Sequence, residues 1–217
     1  MIGLCKGNEC TKERLIEAGG EVFADHGFRG ATVREICRRA RAPLGSVNYH
    51  FRDKMGLYTA VLEHSFRQAF QKYPPGMGVS PDDPPEERLR AFIRAFLLRF
   101  MAEGFPAWHG MLMAHELAQP TGALTLVAET RIRPVYEHLA GIVKELLGLP
   151  EKTEEDAPVL LCATSVVGQC LYYYIGRQII ERVEPRGLAL LSVETLADHV
   201  ARFSLGGIRA LAGKEIR

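Results

Sequence analysis

The chain has 217 residues, 47% apolar and 24% charged, which argues against disorder and for a core that needs no disulfide or metal staples. No apolar run reaches the roughly 20 residues of a membrane span, and the opening MIGLCKGNECTKER lacks the apolar stretch of a signal peptide, so a cytoplasmic protein without a membrane partner is expected. The net charge of +1 conceals an asymmetry: residues 1–73 carry 12 Lys and Arg against 8 Asp and Glu, a net of +4, and the remainder a net of −3.

The pattern is helical throughout, with no apolar/polar alternation bounded by turns that would mark a strand. After a tail over 1–10, Thr11 caps a first helix whose face is Leu15, Ala18, Gly19, Val22 and Phe23, ending at Gly27. Thr32 followed by Glu35 reads as a capping box for a second helix, with Val33, Ile36, Cys37 and Ala40 as its stripe. Pro43 marks a turn, and a brief third helix covers about 44–51. A fourth begins near Asp53 and runs to about Tyr73. The Pro/Gly-rich segment 74–85 cannot continue it and divides the chain.

Beyond that seam the helices lengthen. Leu89, Phe92, Ile93, Phe96 and Phe100 form one apolar face. Pro106 and Pro120 bracket a short helix holding Trp108 and His115. Another runs from Ile132 to Leu146 and closes at Gly148 and Pro150. Residues 157–183 are apolar on most sides and must be covered on most sides. A last helix over about 189–212 presents Val193, Leu196, Val200, Phe203, Gly207 and Leu211.

Two short helices, a tight turn and a basic rim suggest a helix-turn-helix. Residues 29–54 carry Arg29, Arg34, Arg38, Arg39, Arg41, Arg52 and Lys54 against Glu35 and Asp53 alone, a footprint suited to a phosphate backbone. In the third helix Val47 and Phe51 point inward. Gly45, Ser46 and Asn48 leave a slim outer face for a major groove about 12 Å wide.

The run ATVREICRRARAPLGSVNYHFRDKMGLYTAVLEH resembles the DNA-binding signature of the TetR family. The likeness extends over residues 11–65 and rests on Gly45-Ser46-Val47-Asn48-Tyr49-His50-Phe51, then Lys54, Leu57 and Tyr58. It implies DNA contacts at Arg34, Leu44, Gly45, Ser46, Asn48, Tyr49, His50 and Lys54. Arg34 would reach a base edge or phosphate, Ser46, His50 and Lys54 phosphates, and Tyr49 a sugar or thymine methyl. The chain departs from the family at Asn48, often Tyr there, and at Leu44, where a polar residue is common. LLRFMAEG, HELAQPTGAL, IRPVYEHLAGIVKELLG and SVVGQCLYYYIGR, within 85–212, are similar to a TetR subfamily linked to antibiotic and xenobiotic responses. That likeness implies an effector domain.

The expectation is an all-α protein. A three-helix helix-turn-helix domain (11–58) joins through the rest of the fourth helix (59–73) and the 74–85 loop to a larger helical bundle (86–217) for ligand binding and dimerisation. Its partners would be a double-stranded DNA operator, a small-molecule effector and a second copy bound through the last two helices. Gly168, Gly206 and Gly207 would allow the copies close approach. A ligand among the C-terminal helices would pivot the fourth helix and release a palindromic operator. Trp108, Met111, Met113, His115, Tyr136, Gln169, Tyr172, Tyr173 and Arg177 are candidate cavity residues, although aromatics and Met at helical spacing also simply pack. Arg177, a charge on an apolar helix, needs a partner: Glu116, Glu181 or an anionic ligand. The alternative is a helical small-molecule-binding protein without sequence-specific DNA binding. His109, His115 and Glu116 could form a metal or catalytic set, but HExxH, a nucleophile elbow and a phosphate loop are missing, so no enzyme, metal or cofactor is expected. Five scattered cysteines, Cys5 and Cys10 among them, form no CxxC pair and read as reduced thiols.

Overall fold

The computed structural model describes residues 7–101, 108–150, 157–185 and 191–212. Among these, every regular element is helical: α1 (Gly7–Gly30), α2 (Val33–Arg39), α3 (Ser46–Phe51), α4 (Lys54–Lys72), α5 (Pro85–Met101), α6 (Trp108–Ala118), α7 (Gly122–Val127), α8 (Arg133–Leu147), α9 (Ala157–Ile175), α10 (Arg177–Val183) and α11 (Val193–Leu211). A π-helical turn, Ala128–Ile132, leads from α7 into α8. The all-α expectation holds.

Several local expectations shift. Thr11 is no cap: α1 begins at Gly7, so residues 7–10 of the expected tail are helical. Gly27 does break α1, with φ 67 and ψ 173, a conformation open to glycine because it lacks Cβ. Pro106 lies outside the described residues. Residues 157–183 form two helices, divided at Gly176, where a Cβ would press on the Tyr172 carbonyl oxygen. α9 is also long and apolar enough to cross a membrane by length and composition, with 28% of its window buried. Ser, Gly and Gln interrupt the apolar run, but the apolar residues around them keep the mean hydropathy of the window at 1.4.

Packing separates two compact units. The first takes in residues 7–69 and 108–132, the second the described residues of 70–101 and 133–212. The stretch 86–217 contributes helices to both units. Its α6 lies along α1, where Trp108 covers Gly20 so closely that a Cβ there would stand 2.7 Å from the indole.

In the first unit Leu15, Val22, Phe23, Ile36, Val47, Leu57 and Leu112 are buried. Phe23 meets Tyr58 edge-on at 4.7 Å, and Phe28 lies 5.1 Å from the same ring. Gly56 sits where a Cβ would overlap the Phe51 carbonyl oxygen. Backbone cannot give way as a flexible side chain can. Gly56→Ala is therefore expected to destabilise this unit by about 2–3 kcal/mol, read as a lower midpoint in thermal denaturation.

In the second unit α5, α8, α9 and α11 enclose one core: Leu89, Phe92 and Ile93 face Leu139, Ile142 and Val143, with Val159, Val166, Val200 and Leu205. Ion pairs lace its surface. Arg88 binds Glu145 and Arg90 binds Asp198. Arg94–Glu194 and Arg209–Glu86, both 3.1 Å, also join α5 to α11. Exposed pairs of this kind contribute little singly.

Candidate nucleic-acid interface

α2 starts where the capping pattern places it: Thr32 is extended and its Oγ1 accepts from the Glu35 N–H at 3.2 Å. The reciprocal half of the capping box does not form. The Glu35 carboxylate instead accepts from Arg38 at 2.7 and 2.8 Å and from Arg39 at 3.0 Å. These two guanidinium groups hold the Glu35 carboxyl down to about 2. Arg39 also lies 3.3 Å from Asp25 and 3.6 Å from Glu21, and so ties α2 to α1.

Arg41, with φ 49, turns the chain out of α2, and the Ala42 N–H returns to the Cys37 carbonyl at 3.0 Å. Ser46 N–H bonds to the Pro43 carbonyl at 2.9 Å and opens α3. Val47 and Phe51 are buried beneath α3, at 0% and 7% exposure. The Cys37 Sγ reaches the Leu44 carbonyl at 3.8 Å, and burial pushes that thiol up. α4 is capped by Asp53, whose Oδ1 accepts the Gly56 N–H at 2.8 Å.

This framework leaves one face of α3 open. Leu44 is 61% exposed and Tyr49 73%. Arg34, Gly45 and Asn48 are also exposed, and Ser46 and His50 half-buried. Tyr49 stands edge-on to His50 at 4.9 Å. A Cβ at Gly45 would meet nothing within 4 Å, so no contact inside the chain requires the glycine there. Leu44, just before α3, and Tyr49 on it are thus large apolar side chains standing in water, which marks a surface for interaction.

Lys54 sits apart from that group. Its Nζ donates to the Phe28 carbonyl at 2.8 Å and the Ala31 carbonyl at 3.0 Å, 4.6 Å from the Phe28 ring centroid. It fastens the α1–α2 junction, and one of its three N–H bonds remains for a phosphate.

The candidate cavity residues fall in both units. Trp108, Met111 and His115 belong to the first unit; Tyr136, Gln169, Tyr173 and Arg177 to the second. Trp108 packs on Gly20, Met111 is exposed, and the His115 Nε2 lies 2.9 Å from the Ala24 carbonyl oxygen. His115 also lines a cleft of about 490 Å³ with His26, Phe28, Arg29, Tyr58 and Thr121. Tyr136 and Tyr173 pack against the second unit's core. Gln169 Nε2 donates to Ser165 O and Ser204 Oγ, both 3.2 Å, in an α9–α11 groove of about 220 Å³ that Leu161 and Phe203 also line. Arg177 pairs with Glu181 at 2.7 Å, which answers the question of its partner.

Glu116 is engaged elsewhere. It is buried, accepting from Tyr58 Oη at 2.6 Å and from the Thr121 N–H and Oγ1 at 3.0 and 2.9 Å. His109 is bonded to Ser65, both buried. The three side chains of the considered catalytic set thus serve three separate structural contacts. Among the described residues no group of three or more His, Cys, Asp or Glu side chains could hold a metal ion. Cys10, Cys37, Cys162 and Cys170 are unpaired thiols; Cys5 lies outside the described residues. One charged residue escaped the sequence reading: Arg99, 4% exposed near the end of α5.

Residues 15–61 match the family of bacterial regulatory proteins of the tetR type, and residues 85–208, over half of the chain, match the C-terminal domain of the HTH-type transcriptional dual regulator CecR. The chain is 34% identical over 89 residues to the HTH-type transcriptional regulator SrpR of Pseudomonas putida, covering 41% of this chain and 39% of SrpR. It is 33% identical over 87 residues to the HTH-type transcriptional regulator TtgW, also of Pseudomonas putida, covering 40% and 60%. The chain thus spans between 39% and 60% of the length of these curated relatives. Among solved structures, a TetR-like transcriptional regulator from Rhodococcus sp. RHA1 superposes with TM-score 0.64 at 21% identity, over 98% of this chain and all of that one. AibR, crystallised with isovaleryl coenzyme A and operator DNA, gives TM-score 0.66 at 20% identity over 89% and 97%. By its helix-turn-helix, its fold and the match across its C-terminal half, the chain belongs to the TetR family of bacterial regulatory proteins, with a C-terminal domain of the CecR type.

Proposed function

We propose that this protein is a cytoplasmic, dimeric transcriptional regulator, a repressor released from a palindromic operator when a small molecule binds its C-terminal part. The observation that carries the reading is the open face of α3, with Leu44, Gly45, Asn48 and Tyr49 exposed over a buried Val47 and Phe51. Asn48 has the donor and acceptor to read adenine, Arg34 the fork to read guanine or hold phosphate, and Leu44 and Tyr49 the apolar surface for a thymine methyl. Ser46, His50 and the free N–H of Lys54 serve the backbone. Residues 11–58 are the DNA-binding part, and the helices beyond the 74–85 loop carry effector and dimer contacts.

A single α3 reads too few base pairs, so a two-fold pair about one DNA turn apart is required. α9 and α11 suit the joint. Leu160, Leu161, Tyr172, Ile175 and Phe203 are exposed, and nothing stands within 4 Å of a Cβ at Gly168, Gly206 or Gly207. A second copy seated there accounts for an apolar α9 without a membrane. AibR, solved with an acyl-coenzyme A and operator DNA, lends the scheme an example on the same fold.

The test is anisotropy with the DNA just upstream of the protein's own gene, against a scrambled duplex, over a range of salt. Sequence-selective, salt-sensitive binding with two protomers per site is expected. Ligand binding without DNA selectivity against a genome-wide fragment pool would favour a plain small-molecule-binding protein.

A further inference from the structure

Arg99 is the least explained charge in the second unit. Its Nε donates to the Tyr73 carbonyl at 2.9 Å, and its guanidinium carbon lies 4.3 Å from the centroid of Phe70. One face is thereby covered and one N–H engaged. Nη2 is buried with no hydrogen-bond partner. No carboxylate of the described residues acts on it. Burial alone pulls its pKa down to about 9, which leaves it a cation at neutral pH. Burial and then the charges of Arg88 and Arg99 hold His138 below the usual imidazole range; an imidazole, neutral or cationic, supplies no counter-charge in either form.

A buried cation left without a counter-ion is costly. The N–H bonds of Nη2 are left without an acceptor, on a planar guanidinium whose N–H edge matches a carboxylate. Phe70 covers its face, and α5 carries an aromatic run beside it in sequence: Phe96 meets Phe100, which lies 5.4 Å from Tyr174 of α9. We propose that Arg99 anchors the carboxylate of an amphipathic organic acid, the effector class of this regulator. The same guanidinium holds the Tyr73 carbonyl just past α4, the helix that begins at Lys54 beside α3. An acid that takes the Nη edge bears directly on that hold. The inference deepens the ligand-responsive reading and rests on it.

Calorimetry on the full chain tests it, with octanoate against octanamide and 2-naphthoate against 2-naphthamide at matched ionic strength. The wild type is expected to prefer the acid of at least one pair by about tenfold or more. Arg99→Met is expected to bring that ratio to about one, and Arg99→Lys to keep part of it, which covers the case of a poorly folded Met variant. Glu103, four residues on and outside the described residues, is the nearest acid in sequence; Glu103→Gln is expected to leave the ratio unchanged. Equal affinities or no binding in both pairs, an acid preference that survives Arg99→Met, or a ratio lost in Glu103→Gln would overturn the proposal. Because calorimetry needs no DNA, failure of the regulator reading shows separately, as an intact acid preference without selective DNA binding.

Discussion

Replacing Arg34 and Tyr49 together with alanine is expected to weaken binding to a selected operator by about 30- to 1,000-fold. Each side chain offers roughly 1–2 kcal/mol of base or backbone contact at a groove. The thermal midpoint should barely move, since both residues are exposed and surface substitutions of this kind change stability by about 0.5 kcal/mol or less. Anisotropy with the selected duplex, alongside a thermal melt, reads both quantities. Unchanged affinity would remove α3 from the DNA. Lys54 would make a poorer probe. Its ammonium holds two backbone carbonyls at the α1–α2 junction, so Lys54→Ala would mix lost fold with lost contact.

Glu116→Ala is expected to cost about 3 kcal/mol or more. The carboxylate is 1% exposed and accepts three hydrogen bonds, one from Tyr58 on α4 and two from Thr121, which itself caps α7. Removing it strands the Tyr58 hydroxyl in the interior and takes the acceptor from two donors of the half-buried Thr121, and each stranded buried group carries roughly 1–3 kcal/mol. In the intact protein burial, and then the hydrogen bond to Glu116, push the Tyr58 hydroxyl well above the usual phenol range. Urea denaturation should show the loss. In a double-mutant cycle with Tyr58→Phe, a coupling of about 1.5 kcal/mol or more is expected, as for hydrogen bonds to charged groups. Strict additivity would show that the two side chains do not share one network.

Helix positions were readable because they follow from local rules. The Thr32 cap and the Asp53 cap form as the residue types require, and Gly148, at φ 69, closes α8. Val47 and Phe51 turn inward because a period near 3.6 leaves them on one side of α3. The loss of Glu35 from its capping box to Arg38 and Arg39 was not readable, since both outcomes use the same residues at helical spacing. Nor was Lys54, whose partners are main-chain carbonyls some twenty-three and twenty-six positions away.

Arg99 marks the divide most clearly. It stands seven residues after Phe92, on the apolar stripe of α5, and that register alone flags it. Arg177 drew attention first because an apolar run surrounds it, yet it lies in water against Glu181. The sequence by itself determined the helical class, the short third helix and the side of it that faces out, because periodicity, caps and a short signature act over a few residues. Only the tertiary structure decided that α6 and its Trp108 pack on α1, that Glu116 belongs to Tyr58, and that Arg99 rather than Arg177 is the buried charge. Burial and partnership depend on which distant surfaces meet, and helical spacing within one segment carries no record of its neighbours.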